Sequence, residues 1–323
     1  MKPKPNRVLA DYGLYFVLLA LVLVSAILSP LFFSYNNLAN LLTQASFTGL
    51  LALGMTFVIL MGGIDLSVGS MVGFASILYA TVLHGALFTF MPKEIFVYQG
   101  APKLTPILPL PLDVLFVLAV GAFFGLISGF ISYRFRIHSF IVTLCVMIFT
   151  RGLAISYTHG QPLFGVPDPI SYLAYGLPAK IPMPTIIWLG LSLLCLLLLR
   201  YTRFGRGIYA VGGGEEAARL SGIQPAWYRI FPYVASGFFA ALVGIMMSGR
   251  MGCGDPKIGQ GWELDAIAAV VIGGTVVGVL IMGLVINIMN LLEIQAYPQQ
   301  MAKGIIIVGA LALHSVLSRR RSR

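Results

Sequence analysis

The chain of 323 residues is 58% hydrophobic, only 10% charged and has a mean hydropathy of +0.91, values that exclude an ordinary soluble domain. Its formal net charge is +10, but the basic residues form short clusters beside apolar runs, which excludes nucleic acid as the partner this charge serves. Three cysteines, two of them (Cys145 and Cys195) within apolar runs, give neither a disulfide framework nor metal-ligand spacing.

Apolar runs long enough to cross a bilayer as helices lie at 14–33, 41–61, 66–90, 112–133, 138–157, 183–199, 230–249, 264–292 and 303–318. They are continuous instead of alternating, so the expected fold is all-α and not a barrel: a polytopic membrane protein of about 9–10 transmembrane helices. The first run is long and others follow it, so it reads as an uncleaved span and not a secretory signal. Fourteen of the 21 basic residues sit in four clusters: Lys2, Lys4 and Arg7; Arg134 and Arg136; Arg200, Arg203, Arg206, Arg219 and Arg229; Arg319, Arg320, Arg321 and Arg323. The positive-inside rule places these clusters, and both termini, in the cytoplasm.

In chain order, the first interruption is VILMGGIDLSVGSMVG, residues 58–73. Gly62 and Gly63 weaken the helix, and Asp65 with Ser67 is expected to cap a helix restarting at about Leu66. A carboxylate at membrane depth costs at least ~2.5 kcal/mol, so it is retained where it meets backbone donors, a partner or a polar cavity. Residues 91–111 hold five of the 18 prolines and read as an irregular external segment, as does the Pro/Gly-rich stretch 158–182. Between them, Gly121, Gly125 and Gly129 recur every four residues and make a smooth face for close helix contact. Arg151, towards the outer end of its span, reads as snorkelling to the interface.

The largest hydrophilic interruption is 200–229, on the expected cytoplasmic side. Within it Glu215 to Ile223 reads as a short amphipathic helix after a glycine turn, with Ala217 and Leu220 on related faces. Such a helix lying parallel to the membrane is a docking element.

Two halves are also visible. FGLISGFISYRFRIHSFIVTLCVMIFTRG (124–152) and VGVLIMGLVINIMNLLEIQAYPQQMAKG (277–304) share spaced glycines, a link containing Ile, and a later basic residue followed by Gly. VILMGG (58–63) likewise resembles VVIGG (270–274), so discontinuous helices are expected near 62–66 and 273–276. Glu263 and Asp265 begin the second copy, where acids favour a helix N-terminus. That copy is short: Thr275 is followed at once by Val276, Val277 and Gly278. Two full passes need roughly 36–40 residues, and 264–292 has too few, so it is either a re-entrant hairpin or lacks a segment.

No phosphate-binding loop, nucleophile elbow or H-E-x-x-H motif occurs, and His84, His138, His159 and His314 lie far apart. No catalytic or metal-binding residue is therefore assigned, and an energy source must come from another chain or an ion gradient.

GMTFVILMGGIDLSVGS, TRFGRGIYAVGGGEEAARLSGI and GWELDAIAAVVIGGT, in this order within residues 14–318, resemble the ribose/galactose/arabinose-type permeases of bacterial ABC importers, part of the branched-chain amino acid and sugar permease superfamily. The loop is similar to the E-A-A-x-x-x-G element of ABC permeases, which implies ATPase coupling through Gly214, Glu215, Glu216, Ala217, Ala218, Arg219, Leu220 and Gly222. The resemblance further implies a single transmembrane permease domain over 1–323, with a first half at about 41–157, a second at about 230–318 and the coupling loop 200–229. Implied partners are a cytoplasmic ATP-binding cassette subunit carrying ATP and magnesium, a periplasmic or lipid-anchored sugar-binding protein, a second permease copy or paralogue, and membrane lipid. No cofactor is expected on this chain, and the location implied is the bacterial cytoplasmic (inner) membrane.

The expected activity is import of a ribose-like pentose or hexose by alternating access. The helix breaks at Gly62, Gly63, Asp65, Ser67 and Ser70, and at Glu263, Asp265, Gly273 and Gly274, would then line the route. One departure is notable: related permeases continue after the second Gly-Gly-Thr with a serine- and glycine-rich stretch absent after Thr275. Two alternatives stand beside the importer: an ion-coupled secondary transporter using Asp65, and a transport-defective or regulatory subunit.

Overall fold

The computed structural model describes residues 7–83, 109–166, 168–295, 297–306 and 309. Most of the expected external segment 91–111, the last apolar run beyond residue 306 save residue 309, and the clusters at Lys2, Lys4 and Arg319–Arg323 lie outside the described residues. The helices are α1 (Arg7–Leu28), α2 (Tyr35–Leu60), α3 (Val68–Leu83), α4 (Leu110–Phe135), α5 (Ser139–Thr158), α6 (Asp168–Tyr175), α7 (Met183–Tyr201), α8 (Arg203–Gly213), α9 (Glu215–Leu220), α10 (Pro225–Met251) and α11 (Trp262–Leu291), with a further helical segment at 297–306. Among the described residues six helical stretches, α2, α4, α5, α7, α10 and α11, are long and apolar enough to cross a membrane by length and composition, α11 only when the residues on both sides of its break are counted together, and shorter apolar helices lie at 12–28 and 68–82. The protein is an all-α polytopic membrane protein.

The stretch 158–182 is more ordered than its composition predicts. Leu163–Phe164 (β1) pairs antiparallel with Cys253–Gly254 (β2), Leu163 opposite Gly254, and α6 follows. Gly252, at φ 65°, ends α10 in the left-handed region, and its carbonyl accepts from the amides of Gly165 and Val166.

The chain separates into two compact units, one of Leu53–Glu263, the other of Met1–Ala52 with Leu264–Arg323. In the first, α4 packs along α10 on the glycine face expected from the sequence. A Cβ on Gly121 would meet the Gly237 carbonyl at 2.5 Å, one on Gly129 the Ile230 carbonyl at 2.8 Å, and one on Gly125 would overlap the Tyr233 carbonyl. The helices therefore touch backbone to backbone, which small residues alone permit. Tyr79, Val117, Ile170, Ala241 and Ile245 form a buried cluster beside this contact.

In the second unit Phe32, Leu41 and Leu284 join α1, the start of α2 and α11, with Leu18, Leu21 and Val22 against them. The side-chain amides of Asn37 and Asn287 exchange hydrogen bonds of 3.2 and 2.8 Å, which satisfies two polar groups inside an apolar contact. Helix α11 is interrupted where the sequence places a break: Gly273 has φ −157°, ψ 17° and Gly274 φ 73°, ψ −170°. A Cβ on Gly278 would run into the Ala269 carbonyl, so the residues on either side of Gly273–Gly274 fold back against each other. The backbone of 264–292 thus turns back at Gly273–Gly274, at the place where the second copy is short. Its arms, 262–272 and 275–291, are about 16 and 25 Å long at 1.5 Å per residue, and neither spans a 30 Å core alone.

The links after α4 and α11 share one backbone device. Arg136, just after α4, has φ 54°, and Glu293, just after α11, has φ 56°. Each precedes the Ile of the repeated link, Ile137 and Ile294, and each is followed by another helix.

Candidate functional site

The segment between α2 and α3 is built by three local devices. Helix α2 ends in a Schellman motif: the Gly63 amide reaches back to the Val58 carbonyl (3.0 Å) and the Gly62 amide to that of Ile59 (2.9 Å). Gly62 takes the left-handed position at φ 70°, which a residue without Cβ adopts at no cost. Residues 63–67 then have no regular secondary structure, and α5 supplies the missing partners. The Ile64 amide donates to Ser139 Oγ (3.3 Å) and the Leu66 amide to Thr143 Oγ1 (3.2 Å). Irregular backbone at membrane depth is tolerated because those hydroxyls replace helix bonds.

Helix α3 starts later than predicted, at Val68, and Ser67 is the capping position, its carbonyl accepting from the Met71 amide (2.9 Å). Asp65 does not cap the helix directly. Its Oδ1 accepts from both the Ser67 amide (2.9 Å) and the Ser67 hydroxyl (2.6 Å), an Asx turn that sets the chain for α3. Asp65 is 1% exposed. Ser70 is equally buried, with its hydroxyl 2.8 Å from that of Thr150.

At the same end of this unit lies a cavity of about 720 Å³, lined by the helix break (Gly62, Gly63), the α4–α5 turn (Arg136, Ser139) and Arg229 and Tyr233 of α10. The Tyr233 and Ser139 hydroxyls crowd the space where a Cβ on Gly63 would stand. Gly62 and Gly63 thus reach the cavity, whereas Asp65, Ser67 and Ser70 are packed away from its wall.

Two helices fill the interruption 200–229, where the sequence reading has one. Thr202 caps α8 by accepting from the Gly205 amide (3.0 Å). Phe204, Ile208 and Val211, spaced four and three apart, are the periodic signal for this helix, and Ile208 and Val211 are fully buried. Its Gly207 lies under the Tyr228 ring, and its Gly212 lies against the Leu60 carbonyl at the end of α2.

Gly214 links α8 to α9, whose C-terminus is another Schellman motif: the Ile223 amide bonds the Ala218 carbonyl and the Gly222 amide that of Arg219, both at 3.0 Å, with Gly222 at φ 82°. The final glycine of the E-A-A-x-x-x-G pattern therefore has a backbone reason. The inward residue of α9 is Ala218; Ala217 and Leu220, expected on related faces of a docking helix, are exposed, Leu220 by 79%. Glu216 and Arg219 pair on the surface at 2.7 Å, and the guanidinium holds the Glu216 carboxyl below its ordinary range.

Glu215 turns the other way. Its Oε2 is 2.8 Å from Arg229 Nη2, and Arg229 Nη1 donates to the Met61 carbonyl at 2.9 Å. One guanidinium therefore joins the first residue of α9 to the residue that follows α2.

At the opposite end, Arg151 does not snorkel. It donates to the carbonyls of Pro256, Ile258 (2.9 Å) and Gly69 (3.2 Å), tying α5 to the loop after β2 and to the start of α3. The Glu263 carboxylate sits where a Cβ on Gly69 would be, beside the N-terminus of α3, where a negative charge is favoured. Asp265 belongs to the other unit. It lies in the first turn of α11, as expected for an acid near a helix start, and is buried against Lys303, Nζ to Oδ2 2.7 Å; Gly273 and Gly274 form the turn within that helix.

Asp113 is fully buried in the first turn of α4, and among the described residues neither of its oxygens has a hydrogen-bond partner. A sequence pattern carries no signal for that burial, because the covering residues come from elsewhere in the chain. No group of three or more His, Cys, Asp or Glu suited to a metal occurs among the described residues.

Over residues 37–314 the chain matches the family described as branched-chain amino acid transport system, permease component. It is 35% identical to the ribose import permease protein of Haemophilus influenzae, over 98% of this chain and 96% of that one. It is 36% identical to the ribose import permease protein of Escherichia coli K12, over 91% and 90%, and 34% identical to that organism's galactose/methyl galactoside import permease protein, over 97% and 96%. The alignments with the first and third run to 332 and 335 positions, longer than the chain, so each opens gaps in it. No solved structure matches the chain.

Proposed function

The chain belongs to the family of branched-chain amino acid transport system permease components, and from that premise we propose that it is the membrane-spanning subunit of an ATP-driven, binding-protein-dependent importer of a monosaccharide. The observation that carries the reading is the near full-length likeness to ribose and galactose import permeases, which covers both helix breaks and the loop between them. In this reading a sugar-binding protein delivers a ribose-like pentose or hexose from outside, and ATP and magnesium act on a separate cytoplasmic cassette subunit. A second permease copy or paralogue completes the pore. Both termini and α9 face the cytoplasm, as the clusters at Arg134–Arg136 and Arg200–Arg229 favour.

Two features of the site support this. Exposed Glu216, Ala217 and Leu220 on α9 offer a surface to an ATPase cleft. The cavity beside them is lined by hydroxyls of Ser132, Tyr133, Ser139 and Tyr233, groups that exchange hydrogen bonds with a sugar without holding it tightly. It serves as the inner mouth of the route, and alternating access consists of rearrangement at the 61–67 break. The ion-coupled alternative asks Asp65 to bind and release a cation, but that carboxylate is closed in by Ser67 and lies off the cavity wall.

The test is reconstitution of the chain in proteoliposomes with an ATP-binding cassette subunit and a sugar-binding protein of the ribose or galactose import type. The expected outcome is sugar-stimulated ATP hydrolysis and ATP-dependent uptake. Uptake driven by a proton or sodium gradient without the ATPase would establish the ion-coupled reading. An assembled complex with neither activity would establish the transport-defective or regulatory one, towards which the short 273–276 turn points.

A further inference from the structure

Arg229 stands between two elements that the importer reading requires to move together. Its Nη2 holds Glu215, the first residue of α9, and its Nη1 holds the Met61 carbonyl. Met61 is the last residue before the left-handed Gly62, and its carbonyl is among those a helix leaves without an intrahelical partner. A cation there also complements the negative end of α2. Beside this linkage, Gly212 of α8 lies in steric contact with the Leu60 carbonyl and the Met61 side chain at the end of α2.

The guanidinium borders open space, and the other cations there leave it Glu215 as its ion-pair partner. Arg229, Glu215 and Met61 all line the 720 Å³ cavity, which also holds Arg134 and Arg136 of the α4–α5 turn. A displacement of α9 that draws Glu215 away removes one of the two groups fixing Arg229, and with it the restraint on Met61 and the Gly62–Gly63 turn.

We propose that Arg229 is the positioning residue that transmits displacement of α9 to the helix break at 61–67, so that the Glu215–Arg229–Met61 linkage couples ATPase closure to opening of the route. The proposal rests on the importer reading and deepens it. Arg229 touches neither sugar nor nucleotide in this role; it acts through Met61. A planar fork is needed, because one cation must bond a carboxylate and a carbonyl at once from two separate nitrogens.

The experiment uses the complete complex of permease, ATPase and binding protein in proteoliposomes, and measures sugar taken up per ATP hydrolysed. Arg229→Gln is expected to lower that ratio by about fivefold or more, the scale of a typical coupling free energy, while ATP hydrolysis persists. Arg229→Lys, which retains the charge but not the fork, should fall between Arg229→Gln and the unaltered protein. Glu215→Gln in the Arg229→Gln background should add nothing further, since both act through one linkage. An unchanged ratio in Arg229→Gln overturns the proposal, and so do independent, additive losses in the double variant. If Arg229→Gln does not assemble, the Arg229→Lys and Glu215→Gln variants decide: unchanged ratios in both overturn it. Failure of the unaltered complex to couple uptake to ATP would instead sink the importer reading, so the two failures are distinguishable.

Discussion

Single residues in this chain are placed by backbone needs as often as by chemistry. Gly62 and Gly222 sit at the left-handed position that ends α2 and α9, and Glu293 occupies the matching position after α11, with its amide bonded to the Asn290 carbonyl and the Ile294 amide to that of Met289. A side chain in this conformation costs roughly 1 kcal/mol relative to glycine. Glu293→Gly should therefore raise, and Gly62→Ala lower, the thermal unfolding temperature in detergent; shifts of the opposite sign would show that the turns are held by something other than backbone preference. Arg151 illustrates the converse, a charge that serves as a backbone fastener. Arg151→Leu leaves the carbonyls of Pro256, Ile258 and Gly69 without their cation and should cost about 2–3 kcal/mol of stability, most visible as early proteolysis of the 252–261 loop. The sequence contains Arg151 and its apolar setting but not its partners, the nearest of which to it in the chain is Gly69, 82 residues away.

Among elements, the α4–α10 pair shows how far local pattern reaches. Three glycines spaced by four announce a smooth helix face, and the structure lays that face on Gly237, Tyr233 and Ile230. Gly125→Leu should prevent folding or sharply reduce the yield of intact protein, whereas Gly152→Ala, with open space around it, should be neutral. Equal effects of the two would remove the packing explanation. Helix α8 was legible in principle from Phe204, Ile208 and Val211, but its glycines and flanking arginines give it a loop-like composition. The face of α9 was not legible: six residues are too few for periodicity to choose between Ala217 and Ala218, and contact with α8 decides.

For the whole molecule, charge asymmetry is the strongest statement about orientation. A cysteine at Leu220→Cys, with Cys145, Cys195 and Cys253 replaced, should react with a membrane-impermeant maleimide in inside-out vesicles and not in right-side-out ones, and added ATPase subunit should protect it. Labelling from the outside would invert the topology and detach α9 from any cytoplasmic partner. The pair Glu216–Arg219 should not make this docking pH-sensitive near neutrality. The carboxyl is held below its usual value, so the pair persists above the ordinary carboxylate range and is lost only as pH falls through the depressed one. Constant affinity for the ATPase between pH 6 and 8 would bear that out; a decline on mild acidification would implicate another group.

What the sequence determined by itself was everything that depends on neighbours a few residues apart: an all-α membrane chain, the positions of both helix breaks, the glycine face of α4 and the motifs shared with sugar permeases. Hydropathy, helical period and glycine conformational freedom are local, and so they are written in the chain. Only the tertiary structure decided where polar groups find partners. It bonded the backbone of Ile64 and Leu66 to hydroxyls of α5, folded the chain back at Gly273–Gly274, paired Asp265 with Lys303, and set Arg229 between Glu215 and Met61. A buried charge or carbonyl takes whatever the packed helices bring within about 3 Å, and the Met61 carbonyl is 168 residues from the arginine that satisfies it.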